Sequence, residues 1–364
     1  MRILNRMESR AKVSVAMMAF NHGRFIVQAV ESALNQETDF DYEIVVGEDC
    51  STDDTRELLC KLQRHAPERL RLILHDRNVG MHKNLAQVLS ACRGRYIALL
   101  EGDDYWTDPH KLQLQAELLD SNPEVAICHH GALAVDDDGH LPPAPFHPQR
   151  PPRRATVARL LDGNFIVTCT AMFRNGLIAE LPPWFYRARL GDWPLHILNA
   201  QYGAIEYIDR VMGVYRQHSG GIWSTLPRIQ VLEASAETAE LVRPALPARQ
   251  RRRISRTILR WRADVIEIML GEGRIADARQ YAQAHLPSSA GGRLLHFYQG
   301  LAEERQGRRR AATAHLLKAG ANVRARTRIG PGDILLALVR VNCPKLYQIL
   351  RACWRRWRHD KLLE

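Results

Sequence analysis

Through the first hundred residues, short β-branched runs alternate with amphipathic stretches, and this alternation restricts the chain to an open α/β sheet with parallel strands and right-handed crossovers. Residues 13–18, 43–47, 70–74 and 96–100 read as buried strands, and residues 24–34, 53–65 and 81–92 carry the helical period between them. Ligands of such sheets bind at the carboxyl ends of the strands. Those ends carry Phe20-Asn21-His22-Gly23, Glu48-Asp49-Cys50-Ser51-Thr52-Asp53, His75-Asp76-Arg77-Asn78 and Glu101-Gly102-Asp103-Asp104. The polar chemistry is expected on one rim.

Further along, Asp136-Asp137-Asp138-Gly139 reads as a hairpin turn, and residues 141–154, with six prolines, as an extended loop. Residues 165–173 look like another strand, Gly191-Asp192-Trp193-Pro194 opens a helix to about 202, and a last strand over 205–215 leads into Arg216-Gln217-His218-Ser219-Gly220-Gly221. From about Arg249 the pattern is purely helical. Gly273 and Gly307 lie 34 residues apart and open similar stretches. That period resembles a tetratricopeptide unit with Gly300, Ala312 and Ala319 at close-approach positions, and a generic helical bundle explains it as well. The expected division is an N-terminal extension (1–10), an α/β domain (11–240), a helical domain (249–323) and basic amphipathic helices (333–364).

Charge separates the same halves. Residues 243–364 hold 26 Lys/Arg against 9 Asp/Glu, so the whole basic excess of a chain with net charge +11 sits there. Within 345–363, Trp354, Trp357 and several aliphatic residues share one helical face, with the arginines largely elsewhere. That suits an anionic membrane surface or docking onto the helical domain. Aromatic residues do not interleave the basic face, so no nucleic acid is expected as a partner. The seven cysteines form no Cys-x-x-Cys pair, and no segment approaches the ~20 apolar residues of a membrane span. A cytoplasmic protein, peripheral on the inner face of the cytoplasmic membrane if the tail binds lipid, is the expectation.

Three carboxylates in the four residues Glu101-Gly102-Asp103-Asp104 repel one another unless a cation intervenes. Mg²⁺ or Mn²⁺ prefers such oxygens and bridges nucleotide phosphates. A solvated turn capping the helix near Asp108-Pro109 is the bland alternative. Ser51 or Asp53 can cap the second helix, Asp49 stands just before that cap, and Arg77-Asn78-Val79-Gly80-Met81-His82-Lys83 enters the third helix where anions are favoured. Asp192 could equally cap the helix at Trp193-Pro194, and His218 could be a satisfied loop histidine.

Taken in order, residues 13–21, the helix holding Ala33-Leu34-Asn35-Gln36, residues 48–53, Arg77-Asn78-Val79-Gly80 and the segment from Gly94 to Pro109 resemble the inverting glycosyltransferase family 2. The likeness covers roughly residues 11–225. It implies the α/β GT-A fold, a mostly parallel sheet flanked by helices, followed here by an all-α C-terminal domain. It also implies transfer of a sugar from a nucleotide-diphosphate sugar donor to a glycan or lipid-linked glycan acceptor in cell-surface polysaccharide or glycolipid synthesis. By the same resemblance Asp49 matches the acid that binds the nucleobase, and Phe20, Asn21, Glu48, Arg77, Asn78, Lys83, Glu101 and Asp103 join it in donor binding. Asp103, Asp104 and His218 match metal-binding positions for Mg²⁺ or Mn²⁺, and Asp192 matches the catalytic base. Met18-Ala19-Phe20-Asn21 and Glu48-Asp49-Cys50-Ser51 depart from the family's usual Pro-Thr-Tyr-Asn and Asp-Asp-Gly-Ser. The Gln-x-x-Arg-Trp motif of processive members is missing, which implies one sugar per encounter. A sugar nucleotidyltransferase, or a non-catalytic nucleotide-sugar-binding or scaffold protein, are the alternatives; the former usually has a Gly-rich basic loop where Phe20-Asn21-His22-Gly23 stands.

Overall fold

A computed structural model of the chain describes residues 11–137, 142–147, 150–221, 223, 225–286, 296–297, 300, 303–304, 307–321 and 337. The extension 1–10, Asp138 and Gly139 of the expected turn, and all of 333–364 except Ala337 lie outside the described residues. Backbone contacts divide the chain into two units, Met1–Leu226 with Glu240–Ile254, and Pro227–Ala239 with Ser255–Glu364. Among the described residues no helix is long and apolar enough to cross a membrane.

The first unit is built on a mixed sheet. Strands β1 (Val13–Ala19), β2 (Tyr42–Glu48), β3 (Leu70–Leu74) and β4 (Tyr96–Glu101) are parallel, with α1 (Ile26–Leu34), α2 (Thr55–His65) and α3 (Met81–Ala91) between them. The sheet continues through β5 (Tyr105–Trp106), β6 (Val125–Asp136), β7 (Ala144–Pro145), β8 (Arg154–Ala155), β9 (Met172–Arg174) and β10 (Ala204–Gln217), in the order β3-β2-β1-β4-β9-β6-β10-β5, with β7 on β6 and β8 on β10. β9 runs antiparallel to both β4 and β6, whereas β6 and β10 are parallel. Strands covered on both faces read as continuous apolar runs, and Val13, Val15, Met17, Ile44, Val46, Ala98 and Leu100 all lie in the main core. Register then sets the rim: Ala19 pairs with Glu48, Glu48 with Leu74, and Met18 with Glu101, so the four strands end level.

Two details depart from expectation. The strand expected over 165–173 is instead a 3₁₀ turn, Thr168–Thr170, followed by the three-residue β9. The Thr170 hydroxyl donates to Val167 O at 2.7 Å and Asn164 Oδ1 accepts from Ile166 N–H at 3.2 Å, local bonds that compete with a ladder. A helix not expected from the sequence, α7, spans Arg228–Val242 after the Gly-rich loop. The 141–154 loop, by contrast, is tied at both ends by β7 and β8.

Glycine is required where α3 crosses β2. A Cβ on Gly47 would lie 2.0 Å from Asn84 Oδ1, and Asn84 uses the space to donate from Nδ2 to Gly47 O at 2.8 Å. At the far side of the sheet, Lys111, on α4 (Lys111–Ser121), is fully buried. Its Nζ has no hydrogen-bond partner among the described residues and sits 3.6 Å from the Trp106 ring centroid. Burial lowers its pKa to about 7, against the opposing influence of the Cys128 and Cys169 thiols. Between that value and the unfolded value of 10.5 the unfolded chain holds a proton the folded chain does not, so this group makes stability rise with pH across that window, and its penalty is complete below it. Lys111→Met should therefore raise stability at pH 7 by about 2–4 kcal/mol and flatten the pH dependence, as measured by chemical denaturation. Equal or lower stability would mean that the cation–π contact outweighs the buried charge.

In the second unit, α8 (Ala248–Gly271) continues from the first, and α9 (Ile275–His285) and a helix over Arg309–Ala321 pack through Val265, Ile266, Ala278, Ala282, Ala312, Leu316 and Ala319. Gly273 and Gly307 have φ of 78° and 74°. Each is followed by an N–H that reaches back five residues, Arg274 to Met269 O and Arg308 to Glu303 O. These are the 6→1 bonds of a Schellman turn. The turns at Gly273 and Gly307 are built alike.

Candidate active site

At the rim, the loops after β1 and β2 are fastened to each other. Asn21, with φ of 55°, accepts on Oδ1 from Thr52 N–H at 2.8 Å and donates its own N–H to Ser51 Oγ at 3.0 Å. His22 N–H donates to Thr55 Oγ1 and Gly23 N–H to Asp53 Oδ2, at 2.8 and 2.9 Å. Asp49 reaches across to the next loop, where its two oxygens accept from Val79 and Gly80 N–H at 2.7 and 2.9 Å. Glu48 is fully buried and takes the Ser51 N–H and the Arg56 guanidinium. Three of the expected donor-binding residues, Asn21, Glu48 and Asp49, thus spend their polar atoms on shaping the rim. Phe20, Arg77, Asn78 and Lys83 are exposed beside it, with Asn78 Oδ1 also accepting from Gly80 N–H.

The third loop holds the carboxylates. Glu101, Asp103 and Asp104 each place an oxygen within 4.8 Å of the others. Asp104 Oδ1 accepts from Arg216 N–H at 2.9 Å, while Oδ2 is buried with no hydrogen-bond partner among the described residues. Burial, then the charge of Asp103, pushes the Asp104 carboxyl well above its ordinary value, and burial with Asp103, Asp104 and Asp192 does the same to Glu101. Asp103 moves the other way: burial would raise it, but the hydrogen bond from His218 and the neighbouring imidazoles outweigh that. His218 Nε2 lies 3.3 Å, and His22 Nε2 3.8 Å, from Asp103 Oδ2. Three carboxylates that bring one hard oxygen each to a common place, one of them Asp104 with its buried and unpartnered Oδ2, fit a divalent cation such as Mg²⁺ or Mn²⁺. The glycine between Glu101 and Asp103 is a packing requirement, since a Cβ on Gly102 would lie 2.7 Å from His22 Nδ1.

Asp192 is the first residue of α6 (Asp192–Asn199), whose seat is set by Trp193 donating from Nε1 to Leu160 O at 2.9 Å. Its Oδ2 accepts from Asn164 Nδ2 at 2.7 Å and from Thr168 Oγ1 at 3.4 Å. Despite these bonds, burial raises its pKa above the ordinary 3.8, the direction required of a base that works near neutrality. Just before it, Leu190 O lies 3.2 Å from His82 Nε2 on α3, so the helix expected to meet the donor phosphates also anchors the Asp192 loop. Tyr215, half-buried on β10, is pushed above its usual range by burial and then by Glu101, Asp104, Asp103 and Asp192 together. The charge of all four acids is felt at this one phenol.

Sequence reasoning left out the residues that hold these acids. Arg216 donates from Nη1 to Asp103 O at 2.6 Å, bonds Gln28, and stacks between Phe25 and Tyr105 at 4.9 and 4.5 Å. It fixes the turn carrying Asp103 and Asp104, and its only signal in the sequence is its place at the end of β10, two residues before His218. His22, Asn164, Thr168 and Tyr215 are likewise visible only once distant segments meet.

Residues 14–181 match the family described as "Glycosyl transferase family 2"; the matched range contains the carboxylate cluster and ends before Asp192 and His218. An uncharacterized protein of Mycobacterium tuberculosis is 36% identical over 216 residues, which is 58% of this chain and 60% of that protein. The match therefore spans less than two thirds of that relative. Among solved structures, Staphylococcus aureus TarS 1-349 in complex with UDP-GlcNAc superposes with a TM-score of 0.55 at 17% identity, covering 87% of this chain and 93% of that one. The mannosyltransferase PcManGT from Pyrobaculum calidifontis, in complex with GDP-Man and Mn²⁺, gives 0.53 at 16% identity, covering 86% and 87%. These two likenesses concern the fold.

Proposed function

The chain belongs to glycosyl transferase family 2 and carries its GT-A fold, and from that premise we propose that it moves one sugar from a nucleotide-diphosphate donor to a hydroxyl of a glycan or lipid-linked glycan, with inversion at the anomeric carbon. The observation that carries this reading is the convergence of the Glu101, Asp103 and Asp104 cluster with a separately held Asp192. One group of acids suits the donor, and the other suits the acceptor. The two structural neighbours hold UDP-GlcNAc and GDP-Man, which supports a nucleotide sugar as the donor class.

Glu101, Asp103 and Asp104, with His218 beside Asp103, are the residues that would hold a divalent ion, Mg²⁺ or Mn²⁺. Such an ion neutralises negative charge developing on a diphosphate leaving group. Arg216 keeps the Asp103–Asp104 turn in place, and Asp49 holds the Val79–Gly80 backbone that shapes the nucleotide side of the rim. Asp192 takes the acceptor proton as the acceptor oxygen bonds to the anomeric carbon and the bond from that carbon to the diphosphate oxygen breaks. Asn164 and Thr168 orient the carboxylate for that transfer.

The base must be ionised, and its pKa is raised. Transfer is accordingly expected to fall as pH drops through a value above the ordinary aspartate 3.8, an acid limb to which Asp192 contributes together with the raised carboxyls of Glu101 and Asp104. Release of nucleoside diphosphate from a panel of sugar nucleotides, followed against pH, tests both the activity and the limb. No release from any donor, with an acceptor mixture present, would contradict the reading.

A further inference from the structure

Two arginine-rich stretches without a single acid, 150–159 with four arginines and 243–263 with eight, are far apart in the sequence. The fold of the first unit brings them to one open cleft of about 400 Å³, lined by Pro152, Arg154, Thr156, Arg159 and Arg253 among others. No acidic residue lines it. Two acids behind the lining hold the guanidinium groups in position: Asp162 accepts from Arg253 Nε at 2.8 Å and lies 3.9 Å from Arg159, and Glu124 accepts from Arg154 Nη2 at 2.8 Å. A guanidinium has five donors in a fixed fork, so these pairings orient the arginines without exhausting them. Three cations against two anions leave the cleft positive.

One chain segment links the cleft to the loop that holds the candidate base. Arg159 lies on α5 (Val157–Leu160), whose Leu160 O receives the Trp193 indole N–H, and the same segment continues to Asn164, which donates to Asp192. We propose that this cleft is an acceptor subsite that holds phosphate or carboxylate groups of an anionic glycan while a hydroxyl of the same molecule reaches Asp192. The proposal rests on the transferase reading and names the acceptor class that reading leaves open. Guanidinium forks held in place by Asp162 and Glu124 suit discrete oxyanions, which arginine binds in a bidentate manner.

The test uses the full chain and a fluorescein-labelled tetragalacturonate, with short-chain inorganic polyphosphate as competitor, read by fluorescence anisotropy. Both probes should bind and weaken with salt. Arg154→Gln with Arg159→Gln should weaken binding by about tenfold or more, whereas Arg249→Gln with Arg252→Gln, which removes equal charge from exposed positions outside the lining, should change it by less than about threefold. Binding of UDP or GDP, measured on the same samples, shows that both variants are folded. Equal losses in the two pairs, or no binding of either probe, would overturn the proposal. So would sedimentation with phosphatidylglycerol vesicles that depends on Arg154 and Arg159 while the soluble probes fail to bind. Failure of the transferase reading shows separately, as a wild-type chain that binds no nucleoside diphosphate.

Discussion

Asp192→Asn is expected to reduce sugar transfer by roughly 10²- to 10⁴-fold, the loss associated with a positioned general base, while leaving donor affinity nearly unchanged. The substitution keeps shape and an oxygen that can accept from Asn164 Nδ2, now 2.7 Å away, and from Thr168 Oγ1. It also keeps α6 seated through the Trp193–Leu160 bond. What disappears is the carboxylate and its ability to take a proton. Transfer kinetics beside a donor titration on the same protein separate the effects: a fall in kcat with constant donor affinity marks an interaction made in the transition state. Only the part of the acid limb due to Asp192 should vanish with it, the part due to Glu101 and Asp104 remaining. Transfer near the wild-type rate would reduce Asp192 to the first residue of a helix, and loss of donor binding together with folding would make it structural.

The second large effect is expected at Asp104. Asp104→Asn preserves size and the Arg216 N–H bond to Oδ1, but takes away a negative charge from a three-carboxylate group in which Asp104 Oδ2 has no partner among the described residues. Because burial and Asp103 already disfavour ionisation of Asp104, the folded chain should lose no stability through the change and should gain some. Metal-dependent affinity for a nucleoside diphosphate should fall by roughly a hundredfold, in line with removal of a ligand to a divalent ion. Calorimetric titration in Mn²⁺ reads it directly, and thermal unfolding reports stability. Unchanged affinity would remove Asp104 from the site and leave its buried, unpaired oxygen without a purpose.

How much of this was legible in the sequence follows from the range of the interactions. β1 to β4 were readable because strands covered on both faces are unbroken apolar runs, and their level ends made one rim readable as well. Glu101, Asp103 and Asp104 stand together in the sequence and stay together in space. Asp192 could be singled out only through the family likeness, since alone it is an ordinary opening to a helix. Arg216, His22 and Tyr215 were not legible as site residues, because nothing local distinguishes a residue whose partner is a hundred positions away. The strand expected over 165–173 had suitable β-branched and aromatic residues, but its Asn164 and Thr170 side chains bond their own backbone, and it is this segment that delivers Asn164 and Thr168 to Asp192. The buried Lys111 shows the converse: a residue type expected in solvent lies in the core against Trp106, and no periodicity in α4 announces it. The cleft was not legible at all: Arg253 belongs to the basic C-terminal part, Arg154 and Arg159 lie more than ninety positions earlier, and only the fold sets them side by side.

The carboxylate rim is expected to bind the diphosphate of a nucleotide sugar. The most direct measurement is an equilibrium titration of UDP and GDP into the full chain, by calorimetry, once with Mn²⁺ and once with EDTA. At least one nucleotide should bind in Mn²⁺ and its affinity should drop sharply in EDTA, with the bound nucleotide raising the unfolding temperature as any ligand specific to the folded state must. Failure of both nucleotides to bind in Mn²⁺, or equal affinity with and without the ion, would contradict it.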